Sequence, residues 1–159
     1  MRPAAKLLHH LERKRSLVMH PRDTFEHVPF VDLLGLELVE AADGHAEIAL
    51  EVGARHSSTP EAVVAHGGVV SSLVDVAAGA AVVSETRSMA PTIDLRVDYL
   101  APPVDDLVAE AKIVNRASNV ALVDVLVSAG ETLVAVGRVL FKISGASDDS
   151  PWQYDDAGT

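Results

Sequence analysis

His66, Gly67 and Gly68 stand at the head of an apolar run, and Asp75 follows nine residues after the histidine. The run reads HGGVVSSLVDVAAGAAVVS from His66 to Ser84. Its residues favour one long helix that is hydrophobic all round, a type that belongs inside a protein. An ionised carboxylate in such a setting needs a partner or a task. The glycines let a ligand approach the backbone closely, where a helix start offers free N–H groups. Those N–H groups, backed by the helix dipole, suit the negative charge that grows on a carbonyl oxygen under attack. A carboxylate in apolar surroundings suits the base or nucleophile that such an attack requires.

The spacing constrains how these groups can cooperate. Gly67 and Asp75 are eight residues apart, which is about 12 Å along a continuous helix. Reacting atoms meet at roughly 3 Å. One chain's glycines and its own Asp75 therefore cannot serve the same carbonyl. If both act, they come from different chains, and a two-fold dimer supplies two shared sites. Each residue also has a plainer reading. Asp75 could be a structural carboxylate, Gly67 and Gly68 could permit tight packing, and His66 could cap the helix.

The composition narrows the classes. The chain has 159 residues and 48% hydrophobic content, enough for one domain with a real core. Aromatic residues are 4%, so Ala, Val and Leu must fill that core. The formal net charge of -10 disfavours nucleic-acid or anionic membrane partners. With no cysteine, disulfides, thiolate zinc sites and thiol catalysis are excluded. No signal-peptide pattern opens the chain, and the run from Val69 to Val83 is too short to span a bilayer, so a soluble cytoplasmic protein is expected. Of the other histidines, His27, His45 and His56 lack metal-ligand spacing, and His56 could face a substrate from the loop before the helix. Arg87, Arg96 and Arg116 are candidates to meet phosphates.

The elements that would position the site are legible in outline. Residues 4–19 suggest a helix stopped before Pro21. Residues 29–35 suggest a short helix closed by Gly35. Leu36–Ala42 and His45–Val52 suggest strands joined at Asp43-Gly44. Residues 53–65 suggest a loop. After the helix, Ile93, Leu95, Val97 and Tyr99 alternate with Asp94, Arg96 and Asp98, a strand period. Pro102-Pro103 ends that strand. Leu107–Val114, Val120–Ala129 and Thr132–Ile143 follow, and short connections suggest that neighbours pair antiparallel. The economical solution is an α+β fold, with six antiparallel strands curled around one apolar helix. The divisions expected are an N-terminal helical extension at 1–27, a domain at 28–143 and a loose tail at 144–159.

HGGVVSSLVDVAAGAA, followed by PTIDLRVDYLAPP and the terminal LVAVGRVLFKI, resembles the PaaI-type (phenylacetate-degradation) acyl-CoA thioesterases of the hotdog fold. The resemblance covers roughly residues 28–143. It implies hydrolysis of an acyl- or aryl-acyl-CoA thioester without metal or redox cofactor, by a homodimer or homotetramer whose sites span a subunit interface. It assigns Asp75 as base or nucleophile, and Gly68 with Gly67 as carbonyl binders through backbone N–H. It assigns His66 to orienting the site and Thr92 to positioning the attacking water. Many members carry an Asn six residues before the His, where this chain has Pro60, and no Asn lies between Gly44 and Gly68. Ser57, Ser58 and Glu61 are the residues at hand to replace it. The small and medium apolar groups Val69 and Leu73, with residues of 53–65, suggest the wall of an acyl pocket. Two other readings stay open: a non-catalytic acyl-CoA or aromatic-ligand binder, and a hotdog enoyl hydratase or dehydratase.

Overall fold

The computed structural model describes residues 25, 28–88 and 90–143. The expected 4–19 helix, most of the 1–27 extension and the 144–159 tail lie outside the described residues.

A six-residue helix α1 (Pro29–Leu34) opens the domain, with Pro29 at its first turn. Gly35 closes it in the left-handed conformation, φ 72°, and its N–H returns to Val31 and Asp32 carbonyls. Strands β1 (Leu36–Ala42) and β2 (His45–Leu50) follow. Asp43 and Gly44 between them have φ of 49° and 79°. Two positive φ values in a two-residue loop make the primed turn that matches strand twist. A single 3-10 turn at Ala54–His56 begins the next loop. Helix α2 (Gly67–Thr86) then runs unbroken for 20 residues. Strands β3 (Thr92–Tyr99), β4 (Leu107–Arg116), β5 (Val120–Ala129) and β6 (Thr132–Lys142) complete the fold.

All pairings are antiparallel, in one sheet of order β1-β2-β4-β5-β6-β3. The sheet wraps α2, which contacts every strand. The hotdog architecture implied by the sequence is thus the fold. One expectation is corrected: β3 does not pair with its chain neighbour β4. Both edges of β4 are taken, by β2 and β5, so β3 lies at the far edge against β6. The segment through Pro102-Pro103 returns the chain to the middle of the sheet.

Small and branched apolar groups fill the core, as the composition requires. Leu73, Val74, Ala77, Ala78, Ala81 and Val82 of α2 are fully buried. They meet strand residues such as Ile48, Leu107, Val123 and Val127, also fully buried. The helix packs tightly on Gly137 of β6, where a Cβ would lie 2.3 Å from Val74 Cγ1. Its C-terminal end is tied to the β1–β2 turn, because Ser84 Oγ accepts the Gly44 N–H at 3.0 Å and donates to Ala81 O. The helix is not covered all round, however. Gly68, Ser71, Ser72, Asp75, Val76, Gly79 and Ala80 keep partial or full exposure along one face of the chain.

Candidate active site

The start of α2 is held from three sides. His56, 2% exposed, is a structural anchor rather than a substrate contact. Its Nδ1 accepts the Gly53 N–H at 3.0 Å, and its Nε2 lies 2.9 Å from Leu34 O and 3.0 Å from Arg55 Nε. Its backbone carbonyl accepts the His66 N–H at 2.7 Å. The loop from 57 to 65 is organised by Ser57, whose Oγ accepts N–H groups of Thr59 and Val64 and lies 2.6 Å from Ala62 O. The Ala65 N–H donates to Pro103 O at 2.9 Å, joining this loop to the one after β3. Ser57 is therefore committed to its own loop, whereas Ser58 and Glu61 are exposed.

His66 is the N-cap of α2. Its Nδ1 accepts the Gly68 N–H at 2.9 Å, while its carbonyl accepts the N–H of Val69 and Val70. The Gly67 N–H has no protein acceptor among the described residues. The first turn carries no acidic residue, so nothing there opposes the positive end of the helix dipole. Tyr99, at the end of β3, reaches the same turn, and its hydroxyl donates to Gly67 O at 2.9 Å. Its ring would lie in ordinary contact, 3.5 Å, with a Cβ on Gly67. Sequence reasoning missed this contact, which joins residues 32 apart in the chain.

Asp75 is half-buried on the open face of α2. Thr92 Oγ1 donates to its Oδ1 at 2.7 Å, which fixes the carboxylate and leaves Oδ2 without a protein donor among the described residues. A bulge in β3 makes this possible. Thr92 is opposite Phe141, and Leu95, Val97 and Tyr99 are opposite Val139, Gly137 and Ala135, all on the helix side. Asp94, Arg96 and Asp98 face the other way, and the register slips between Thr92 and Asp94. Strict alternation would have put Thr92 with the three charged residues. The extra residue turns it inward, a use that bulges often have beside functional groups.

The five candidates thus fall into two clusters on one helix: His66, Gly67 and Gly68 at its start, and Asp75 with Thr92 eight or so residues on. The helix is continuous between them, so the separation of about 12 Å stands. Leu73, expected in the acyl wall, is instead fully buried in the core, while Val69 remains partly accessible. Arg96 pairs with Asp98 and Arg116 with Glu85, so two of the three phosphate candidates have carboxylate partners. The one helix among the described residues long and apolar enough to cross a membrane is α2, the core helix.

Several known proteins are similar to this chain. The thioesterase superfamily model matches residues 63–138, from just before His66 to Arg138. An inferred esterase of Halobacterium salinarum is 32% identical over 125 residues, covering 71% of this chain and 83% of that protein. The medium/long-chain acyl-CoA thioesterase YigI of Escherichia coli is 35% identical over 91 residues, 48% of this chain; the match spans 59% of YigI. Among solved structures, a single-residue variant of the phenylacetic acid degradation protein PaaI from Thermus thermophilus superposes with a TM-score of 0.67 at 31% identity, covering 74% of this chain and 100% of that one.

Proposed function

This chain belongs to the thioesterase superfamily and is a thioester hydrolase; we propose that it hydrolyses acyl- or aryl-acyl-CoA at two sites, each shared between the subunits of a homodimer. One chain's Asp75 activates water, or attacks the thioester carbonyl itself. The other chain's Gly68 N–H, with Gly67 beside it, holds the carbonyl oxygen as charge develops there. The observation that carries this reading is the Thr92–Asp75 hydrogen bond. It fixes a half-buried carboxylate by one oxygen on an open helix face and leaves the other oxygen for water or substrate.

The shared site rests on the length of the helix and on its uncovered face. A strip bearing Ser72, Asp75, Val76, Gly79 and Ala80 is small enough for a second helix to approach closely. In this reading, water bound between Asp75 Oδ2 and Thr92 attacks the carbonyl, Asp75 takes its proton, and the thiolate of CoA leaves. The relationship to YigI makes medium- and long-chain acyl groups the first substrates to try, with aryl-acyl groups second on the strength of the PaaI likeness.

The test is thiol release from short, medium, long and aryl-acyl CoAs. The wild-type protein is expected to turn over at least one class. Asp75→Asn should lower kcat by at least about a hundredfold, the usual contribution of a positioned base, with the dimer intact. Retained turnover in Asp75→Asn sinks the assignment of Asp75. No thiol release from any of the substrates by the wild type favours a binding protein.

A further inference from the structure

We propose that Tyr99 is a positioning residue for the carbonyl-binding amide, an inference that rests on the shared-site reading above. Gly67 C=O and Gly68 N–H are the two ends of one peptide group, and in a trans peptide they point in opposite directions. The Tyr99 hydroxyl donates to the oxygen end at 2.9 Å, and His66 Nδ1 accepts from the nitrogen end at 2.9 Å. The plane is therefore pinned at both ends while no substrate is bound.

Binding changes one of these pins. The thioester oxygen needs the Gly68 N–H, which His66 holds, so the imidazole must share or release it. The peptide between two glycines is then lightly restrained, because neither flanking residue has a Cβ to limit rotation of the plane. Tyr99 remains, on the same oxygen that accepts the Ser71 N–H within the helix. A rotation that turned the N–H away from the substrate would also carry Gly67 O away from the hydroxyl and break that bond. The same bond draws electron density towards the carbonyl oxygen and strengthens the N–H as a donor, as in any chain of linked hydrogen bonds.

The strand that delivers Tyr99 also delivers Thr92. Both lie on its helix-facing side, Tyr99 opposite Ala135 and Thr92 opposite Phe141. Strand β3 thus fixes the oxyanion amide at one end and the carboxylate at the other. Because the two half-sites of one chain serve different carbonyls, each β3 would set one component of both sites in the dimer.

Tyr99→Phe tests this, because it removes the hydroxyl and keeps the ring against Gly67. In the full-length protein, kcat is expected to fall about tenfold, equivalent to about 1.4 kcal/mol of transition-state stabilisation. KM should change by less than about twofold and the melting temperature should stay near that of the wild type, since only a transition-state contact is weakened. A second readout needs no turnover: the Gly67 carbonyl carbon and Gly68 amide resonances of the labelled protein should both move in Tyr99→Phe. An unchanged kcat in an active enzyme overturns the proposal, as does a loss of kcat that comes with a matching loss of stability. If the wild type proves inactive on every thioester, the hydrolase reading fails by itself. Unmoved Gly67 and Gly68 resonances overturn the pinning whether or not the protein is active.

Discussion

At the residue scale the proposed chemistry rests on one carboxylate and one amide proton, and each has a neighbour that orients it. Asp75 is oriented by Thr92 and the Gly68 N–H by His66. The His66 cap saves the N–H from being an unsatisfied helix-end donor, and in the proposed reaction a substrate oxygen would take the place of the imidazole. A shifted ionisation lies on the outer face of the sheet. The Arg138 guanidinium grips Asp124 through both carboxylate oxygens, at 2.6 and 2.7 Å, and holds its carboxyl below the ordinary value. A carboxyl lowered on folding contributes stability that is present at neutral pH, above its unfolded value, and is lost as acid titrates it through the lower folded value. This pair is exposed and solvent-screened, so the effect on stability is small. Arg138→Gln should raise the Asp124 titration midpoint, followed by the carboxyl carbon resonance, and should leave thiol release at neutral pH unchanged. A midpoint equal to that of the wild type would remove Arg138 as the cause.

At the scale of elements, the bulge in β3 is the device that matters most. Deleting Ile93 removes the extra residue and leaves Thr92 directly before Asp94, where strict alternation keeps it on the helix face opposite Phe141. The deletion variant should therefore keep a kcat near that of the wild type. Thr92→Val should lower kcat by about tenfold through loss of one hydrogen bond to the carboxylate, with or without the deletion. A deletion variant as slow as Thr92→Val would mean that the bulge itself, and not only the facing of Thr92, is needed, and Thr92→Val alone still tests the hydroxyl if the deletion disturbs folding. This is also where the sequence was least legible. The alternation Ile93, Leu95, Val97, Tyr99 spells a regular strand, and a one-residue slip leaves no mark in it. The hairpin at Asp43-Gly44 and the cap at Gly35 were legible because few residues accept positive φ. The end of α2 was not, because Arg87 takes the left-handed cap position, φ 56°, where a glycine would have announced it. The place of β3 in the sheet escaped for another reason: local connection length says nothing about which edges other strands have already filled. His66, Gly67, Gly68 and Asp75 could be singled out from their types and spacing alone, whereas Tyr99 could not, since its role depends on a contact made only on folding.

At the scale of the whole molecule, the helix that forms the core also keeps the two clusters of candidate residues apart, and this makes the proposed dimer testable by function. An Asp75→Asn chain lacks the carboxylate but keeps its amides. A Gly68→Val chain keeps Asp75 but carries a branched side chain where a Cβ would already lie 3.0 Å from His66 Nδ1. Each homodimer should be inactive if every site needs both components. In a mixed dimer with shared sites, one site receives both defects and the other receives none. Co-refolding equal amounts makes about half of the dimers mixed, each with one good site of two, so thiol release should recover to about a quarter of the wild-type rate. Sites contained within one chain would give no recovery at all, because neither parent holds a complete set. The recovered rate therefore reads the arrangement directly: about a quarter for carboxylate and amide in different subunits, and zero for both in one.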